Sequence, residues 1–264
     1  MSHSTPFPLI AVDVGNARVK LGLFESGCGE ELPEPSRTLH LAGSAPEPEP
    51  LAAWLAEVAP HEASWWIGSV NRPAVTRLID WLRDRRAEDT VTMLAAGGLP
   101  LEIALERPDM VGIDRLLDAV AANHLRPPAR PAVVVDVGTA ITVDLISPEG
   151  AFLGGTISPG IAMSARALYE FTDLLPLIEM SELAARPPAL GTATVSAIRS
   201  GLFWGAVGAI RQLIERLSAE VGSEPQVFLT GGAGPTVAEL LGPSTRHVPH
   251  LTLAGIALTA RGRS

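Results

Sequence analysis

Leu9-Ile-Ala-Val-Asp13-Val-Gly15-Asn-Ala-Arg-Val-Lys-Leu-Gly-Leu-Phe24 returns in the second half of the chain as Ala132-Val-Val-Val-Asp136-Val-Gly138-Thr-Ala-Ile-Thr-Val-Asp-Leu-Ile146. Each copy is a short β-branched run ending at Asp, then small residues, then a second run with partial alternation. That order predicts a β-hairpin whose tight turn follows the Asp. Glycine at such a turn lets backbone approach a ligand, because no Cβ stands in the way. One Asp-x-Gly turn is an ordinary hairpin. Two of them, each after a buried-looking strand and each followed by Asn or Thr, point to a duplicated, ligand-facing element.

A second echo supports the duplication. Trp65-Trp-Ile-Gly-Ser-Val70 resembles Val227-Phe-Leu-Thr-Gly-Gly232, and helical patterns follow at Ala74 to Arg86 and Pro235 to Leu241. Strand pairs followed by strand–helix units predict mixed α/β domains. The Pro-rich segment Arg126 to Pro131 is the natural hinge. We therefore expect two similar domains, 1–127 and 128–264, with a ligand cleft between them. Glu34-Pro35 and Pro46 to Pro50 read as surface loops. Trp65, Trp66 and Trp81 read as core or interface residues. Trp204 lies on an Ala/Gly-rich helical stretch, Gly201 to Ala209, that suits either a dimer seam or an intrachain contact.

Composition narrows the function. The chain's 264 residues suffice for two domains, and 47% apolar with 19% charged residues fits a compact protein. A net charge of −9 argues against a broad nucleic-acid footprint. Cys28 is the one cysteine, read as a solvated loop residue. Met1 to Pro8 lacks the basic start and apolar stretch of a signal peptide. No run approaches the ~20 apolar residues of a membrane span. The expected location is the cytoplasm, with no membrane and no nucleic acid as partner.

Two sets of residues could carry phosphate chemistry. Asp13, Gly15, Asn16 and Lys20 form one: turn N–H groups can face phosphate oxygens, Asn16 adds a donor, and Lys20 supplies a point charge or is a solvated strand residue. Asp136, Gly138, Thr139 and Thr142 form the other, with a hydroxyl at the turn and a carboxylate at a strand end that could ligate a cation. Asp144 reads as structural. Walker-type G-x-x-x-x-G-K-[ST] spacing is absent, as is G-x-S-x-G. The six histidines show no metal-ligand spacing.

Gly112-Ile113-Asp114-Arg115 opens a helix continuing to His124. Asp114 can be its N-cap, or it can accept the proton of an attacking hydroxyl while Arg115 clamps an anion. Small-residue loops at Gly154 to Gly160 and Gly191 to Thr194 precede helices expected at Ala162 to Leu168 and Val195 to Leu217, with Thr194 as N-cap. Gly231-Gly-Ala-Gly234 suits a flat ligand such as adenine lying on bare backbone.

Taken in order, these pieces resemble the type III pantothenate kinases of the sugar kinase, Hsp70 and actin superfamily. The match runs through Asp13 to Lys20, Pro108-Asp-Met-Val-Gly-Ile-Asp-Arg115, Asp136 to Asp144, Gly154 to Gly160, Gly191 to Gly201 and Gly231-Gly-Ala. The resemblance implies two actin-like (ribonuclease H-like) domains of mixed sheet and ATP-dependent phosphorylation of pantothenate, the first step toward coenzyme A. It implies that Asp13, Val14, Gly15, Asn16, Ala17, Arg18, Val19 and Lys20 hold ATP phosphates and Mg²⁺, with Thr139 also touching ATP. It implies that Gly112, Ile113, Asp114, Arg115 and Thr194 bind pantothenate, Asp114 acting as proton acceptor. Asp136 would ligate a monovalent cation, K⁺ or NH₄⁺, and the protein would be a cytoplasmic homodimer.

Two positions depart from the family pattern. Leu105 stands where a Tyr is usual, and Ala193 where an Asn is common. Both remove polar groups from the presumed pantothenate side. That leaves room for a kinase of a related hydroxy acid. The family also shares its sequence pattern with proteins named as accessory factors for transcription, so a nucleotide-binding accessory factor is a further alternative, against which Asp114, Arg115, Asp136 and Thr139 speak.

Overall fold

The computed structural model describes residues 8–25, 31–43, 48–59, 61–178, 185–232 and 234–262. Cys28 and the start of the chain, Met1 to Phe7, lie outside them. The chain forms two compact units, Met1–Leu125 with His250–Ser264, and Arg126–Pro249.

The first unit is built on a five-stranded mixed sheet. Its strands are β1 (Leu9–Val14), β2 (Arg18–Phe24), β3 (Arg37–Ala42), β4 (Ser64–Ser69) and β5 (Thr90–Met93), in the order β3-β2-β1-β4-β5. β1–β2 and β2–β3 are antiparallel, and β4 and β5 run parallel beside β1. β1 is buried at every residue, as a central strand covered on both faces must be. Ile10, Val12, Val14, Leu21 and Leu23 pack with α1 (Pro48–Val58) and α2 (Arg72–Arg85) in one core. Asn71 starts α2 by accepting the Ala74 N–H at 3.1 Å, one residue before Arg72-Pro73. The other face carries α3 (Ile113–Leu125) and α7 (Leu251–Arg261): a Cβ on Gly68 would meet Leu117 Cδ1 at 2.8 Å, and one on Gly22 would meet Leu253 Cδ1 at 3.1 Å.

The second unit repeats the plan. β6 (Ala132–Val137), β7 (Ala140–Ile146), β8 (Phe152–Pro159), β9 (Gln226–Thr230) and β10 (Thr245–His247) form a sheet of order β10-β9-β6-β7-β8. β6–β7 and β7–β8 are antiparallel, and β9 and β10 lie parallel beside β6. Position for position, this is the first sheet again. Its core joins Val133, Val135, Ile141, Val143 and Leu145 to Phe203, Val207 and Ile210 of α5 (Thr194–Val221) and Val237 of α6 (Gly234–Leu241). α4 (Ile161–Glu170) precedes α5.

Several expectations change. The division between the units falls at Leu125/Arg126, at the edge of the Pro-rich segment, and α7 groups with the first unit rather than with a 128–264 domain. Two close contacts hold it there: an added Cβ on Gly255 would overlap the Leu117 carbonyl, and Thr252 Oγ1 donates to Asp118 Oδ1 at 2.7 Å. Pro48 to Pro50 are not loop but the first turn of α1, where a proline's missing N–H costs nothing. Helices α4 and α5 extend beyond 162–168 and 195–217. Trp204 is held within its own unit: its Nε1 donates to Pro187 O at 3.2 Å, Arg186 stacks 5.0 Å over the ring, and Phe203 meets it edge-on.

Candidate active site

In the first hairpin, β1 ends at Val14 and β2 begins at Arg18, so Gly15, Asn16 and Ala17 make the turn. Gly15 N–H donates to Arg18 O at 3.0 Å, and a Cβ on Gly15 would sit 3.1 Å from that oxygen. Asn71 Nδ2 donates to Gly15 O at 3.4 Å, tying the turn to the start of α2. Asn16, Ala17 and Arg18 are exposed at the tip. Val14 and Val19 point into the core, so only their backbone is available to a ligand. Asp13 is 7% exposed, and its Oδ2 lies 3.3 Å from Lys20 Nζ directly across the ladder. Lys20 therefore faces a carboxylate rather than open solvent.

Asp114 stands in the first turn of α3 and is not its cap; Gly112, whose carbonyl accepts the Leu116 N–H, takes that place. The Arg115 N–H donates to Asp114 Oδ1 at 2.9 Å. A Cβ at Gly112 would come within 2.5 Å of the same oxygen, so a side chain there would push the carboxylate out of this position. Burial pushes the Asp114 carboxyl above the usual carboxylate range; the Arg115 N–H pulls it back, and the charge of Asp13 adds to the rise. Asp13 and Asp114 thus share one electrostatic environment. A half-buried carboxylate with a raised pKa is suited to proton transfer. Gly112 and Ile113 also line an open cavity of about 600 Å³, with Ser69, Val70, Ala95 and Pro108 among its walls.

The second hairpin turns at Gly138 and Thr139, and Gly138 N–H donates to Ala140 O at 3.0 Å. Asp136, half-buried, pairs with Thr142 across the ladder. Gly231 has φ +93°, and a side chain there would overlap Asp136 Oδ1; one on Gly138 would come within 3.4 Å of the same atom. The two glycines thus leave the space beside Asp136 Oδ1 free of side chains. Gly160 abuts the turn, donating to Thr139 O at 2.9 Å, where any Cβ would clash with Gly138 and Thr139 carbonyls. Asp144 is 2% exposed and so not solvent-facing.

Thr194 is the first residue of α5 rather than its cap, and it is exposed. The Ser196 hydroxyl closes that helix start, accepting from Ala193 N at 3.0 Å and donating to Ala193 O at 2.9 Å. Gly191 packs so tightly on Ser196-Ala197 that no side chain fits. Leu105 is half-buried in the segment before Pro108. Sequence reasoning missed Asn71, Asp118, His40 and His250. An Asn before Arg-Pro is a readable cap signal, whereas the other three depend on strand and helix pairings that no local pattern reveals.

Two units of one topology, each with an Asp at the end of its first strand and a tight turn after it, define an actin-like ATPase and kinase fold. Solved structures agree on that fold: the ethanolamine utilization protein EutJ from Carboxydothermus hydrogenoformans aligns with a TM-score of 0.53 and 14% identity over 95% of this chain and 89% of its own. A reductive activator for a corrinoid, iron-sulfur protein aligns with a TM-score of 0.54 and 12% identity over 98% of this chain and 61% of its own. The chain belongs to the type III pantothenate kinase family, whose model matches residues 9–216. A type III pantothenate kinase of Dehalococcoides mccartyi (strain CBDB1) is 36% identical over 94% of this chain and 93% of its own length. One from Frankia alni is 30% identical over 95% and 97%.

Proposed function

We propose that this protein transfers the γ-phosphoryl group of ATP to the primary hydroxyl of pantothenate, giving 4′-phosphopantothenate at the entry to coenzyme A biosynthesis. The observation that carries this reading is Asp114: a half-buried carboxylate in the field of Asp13, with a raised pKa, following directly in sequence on Gly112 and Ile113 of the cavity wall. Asp114 accepts the hydroxyl proton as the oxygen attacks phosphorus, and the ADP oxygen leaves on the opposite side. Arg115 holds the acceptor, with Gly112 and Ile113 offering backbone and Thr194 a hydroxyl. The turn N–H groups of Gly15 to Ala17, the Asn16 amide, Arg18 and Lys20 hold the phosphates, and Thr139 offers its hydroxyl to ATP.

Asp13 would face Mg²⁺ carried by the nucleotide, and Asp136 would hold K⁺ or NH₄⁺. When bound, these ions offset the negative charge that develops on the transferring phosphoryl group. Catalysis then rests on positioning and charge stabilisation, without a covalent intermediate. A cytoplasmic homodimer with ATP and pantothenate as its ligands completes the proposal.

Leu105 and Ala193 favour a second reading, in which the acceptor is a related hydroxy acid. A buried hydrogen bond left unmade costs roughly 1–3 kcal/mol. Incubating the protein with ATP and a panel of hydroxy acids, and weighing the products by mass spectrometry, separates the cases. 4′-Phosphopantothenate as the main product supports the first reading. Phosphorylation of another acid alone supports the second. Nucleotide binding with no product from any acid would leave a non-catalytic regulator and end both.

A further inference from the structure

Asp13, Lys20 and His40 stand in one row across the first sheet: Asp13 lies opposite Lys20, and Lys20 opposite His40. Directly opposed residues of antiparallel strands share a face, with Cβ atoms roughly 5 Å apart. Arg18, two residues before Lys20 on β2, shares that face by the strand's alternation. Gly22 is the next residue along the same face, and its near-contact with Leu253 shows that α7 covers it. His250 immediately precedes α7 and so enters the same group. Lys20 acts electrostatically on both His40 and His250, and His250 on His40.

Lys20 therefore has His40 directly across the ladder, Arg18 two residues along its own strand, and His250 within electrostatic reach. The carboxylates facing them are Asp13 from β1 and Glu34 from the loop before β3, while Asp114 faces Asp13 from α3. Partial desolvation holds the imidazole of His40, an exposed residue of β3, below its ordinary range, and Lys20, His250 and Arg18 add to the depression. Burial does the same to His250, assisted by Lys20 and opposed by Glu34. Like charges gathered this way repel one another unless an anion joins them.

We infer that Arg18, Lys20, His40 and His250 form an anion subsite beside the first hairpin that holds the polyphosphate chain of the nucleotide. The inference rests on the kinase reading above. A polyphosphate suits the site better than the acceptor's carboxylate for two reasons. The row leads into the Gly15–Ala17 turn with its exposed tip, and several cations match a multiply charged chain. The proton follows by linkage. Imidazoles kept neutral in the free protein charge when the polyphosphate arrives, because an anion nearby favours the charged form. Binding therefore takes up protons near neutral pH, and nucleotide affinity falls as pH rises through the imidazole pKa values of the complex.

Calorimetry of Mg·ADP binding to the full chain at pH 7, in buffers of different ionisation enthalpy and equal ionic strength, tests this. The expected result is net proton uptake, on the order of half a proton per site or more. His40→Gln and His250→Gln each reduce it, and His250→Asn does the same while keeping a good capping residue at the start of α7. The double variant loses most of the uptake and binds roughly three- to tenfold more weakly. Uptake that is absent, or unchanged in the double variant because Asp114 supplies it, overturns the inference. So does histidine-dependent uptake on binding pantothenate alone. Failure of the wild type to bind any nucleotide removes the kinase reading as well, an outcome distinct from binding without histidine-linked protons.

Discussion

In the first hairpin Asp13 faces a lysine across the ladder, while in the second the corresponding Asp136 faces Thr142. The sheets have the same order and the same directions, so duplication fixed the backbone and left the chemistry free to diverge. Three residues turn the first hairpin and two the second. The first gathers basic side chains, Lys20, Arg18 and two histidines, within electrostatic reach of one another, and Asp13 lies within reach of Asp114. The second encloses its carboxylate between glycines. Asp13 has a fixed cation across the ladder, whereas Asp136 has a neutral threonine there. Under the proposed function, phosphate binding falls to one copy and cation binding to the other.

The comparison can be broken most severely at Asp114. Replacing it with Asn removes the proton acceptor, and turnover should fall on the order of 10³-fold with nucleotide binding retained. The same variant should melt a few degrees higher at neutral pH. The sign follows from linkage. The folded-state pKa is raised above the unfolded value, so the folded protein binds more protons between the two. Stability is lost as pH rises through that window. Asn carries no such cost. A lower melting temperature at pH 7 would show that burial of the charge is not what raises the pKa. In the wild type, turnover should decline as pH drops through the raised Asp114 pKa, read from a profile of kcat against pH.

Asp136→Asn comes next. It should lower turnover roughly 10- to 100-fold and flatten its response to K⁺ at constant ionic strength; a variant still activated by K⁺ would move the cation elsewhere. Lys20→Met and Thr142→Val then compare the two ladder partners directly. The first should raise the KM for ATP about tenfold or more, the second change it less than about twofold. Equal effects would erase the proposed division. The smallest effect concerns how α7 is held. Thr252→Val removes the donor to Asp118, 2% exposed, leaving a buried acceptor one hydrogen bond short. That should cost roughly 1–3 kcal/mol and a few degrees of melting temperature.

Much of this was readable before any coordinates. The hairpins, their Asp ends and the helix after Gly112 are local patterns, written in adjacent residues. The two strand echoes became β4 and β9, each parallel to the first strand of its own sheet. What stayed hidden was long-range. Nothing near Leu251 says that this helix returns to the first unit, because Gly255 matters only once Leu117 lies against it. His40 looked like one scattered histidine until the β2–β3 register set it opposite Lys20. The proline-rich run to Pro50 reads as a surface loop, yet Pro48 and Pro50 fall in the first turn of α1, where proline's missing N–H breaks no helical bond.

The central claim is a kinase whose first hairpin side transfers phosphate while the second supplies a cation. Transfer of label from γ-³²P-ATP to pantothenate, timed in K⁺ and in Na⁺ buffers of equal ionic strength, tests both halves at once. The account predicts label on pantothenate, gained faster in K⁺. Label released only to water, or equal rates in the two buffers, would contradict it.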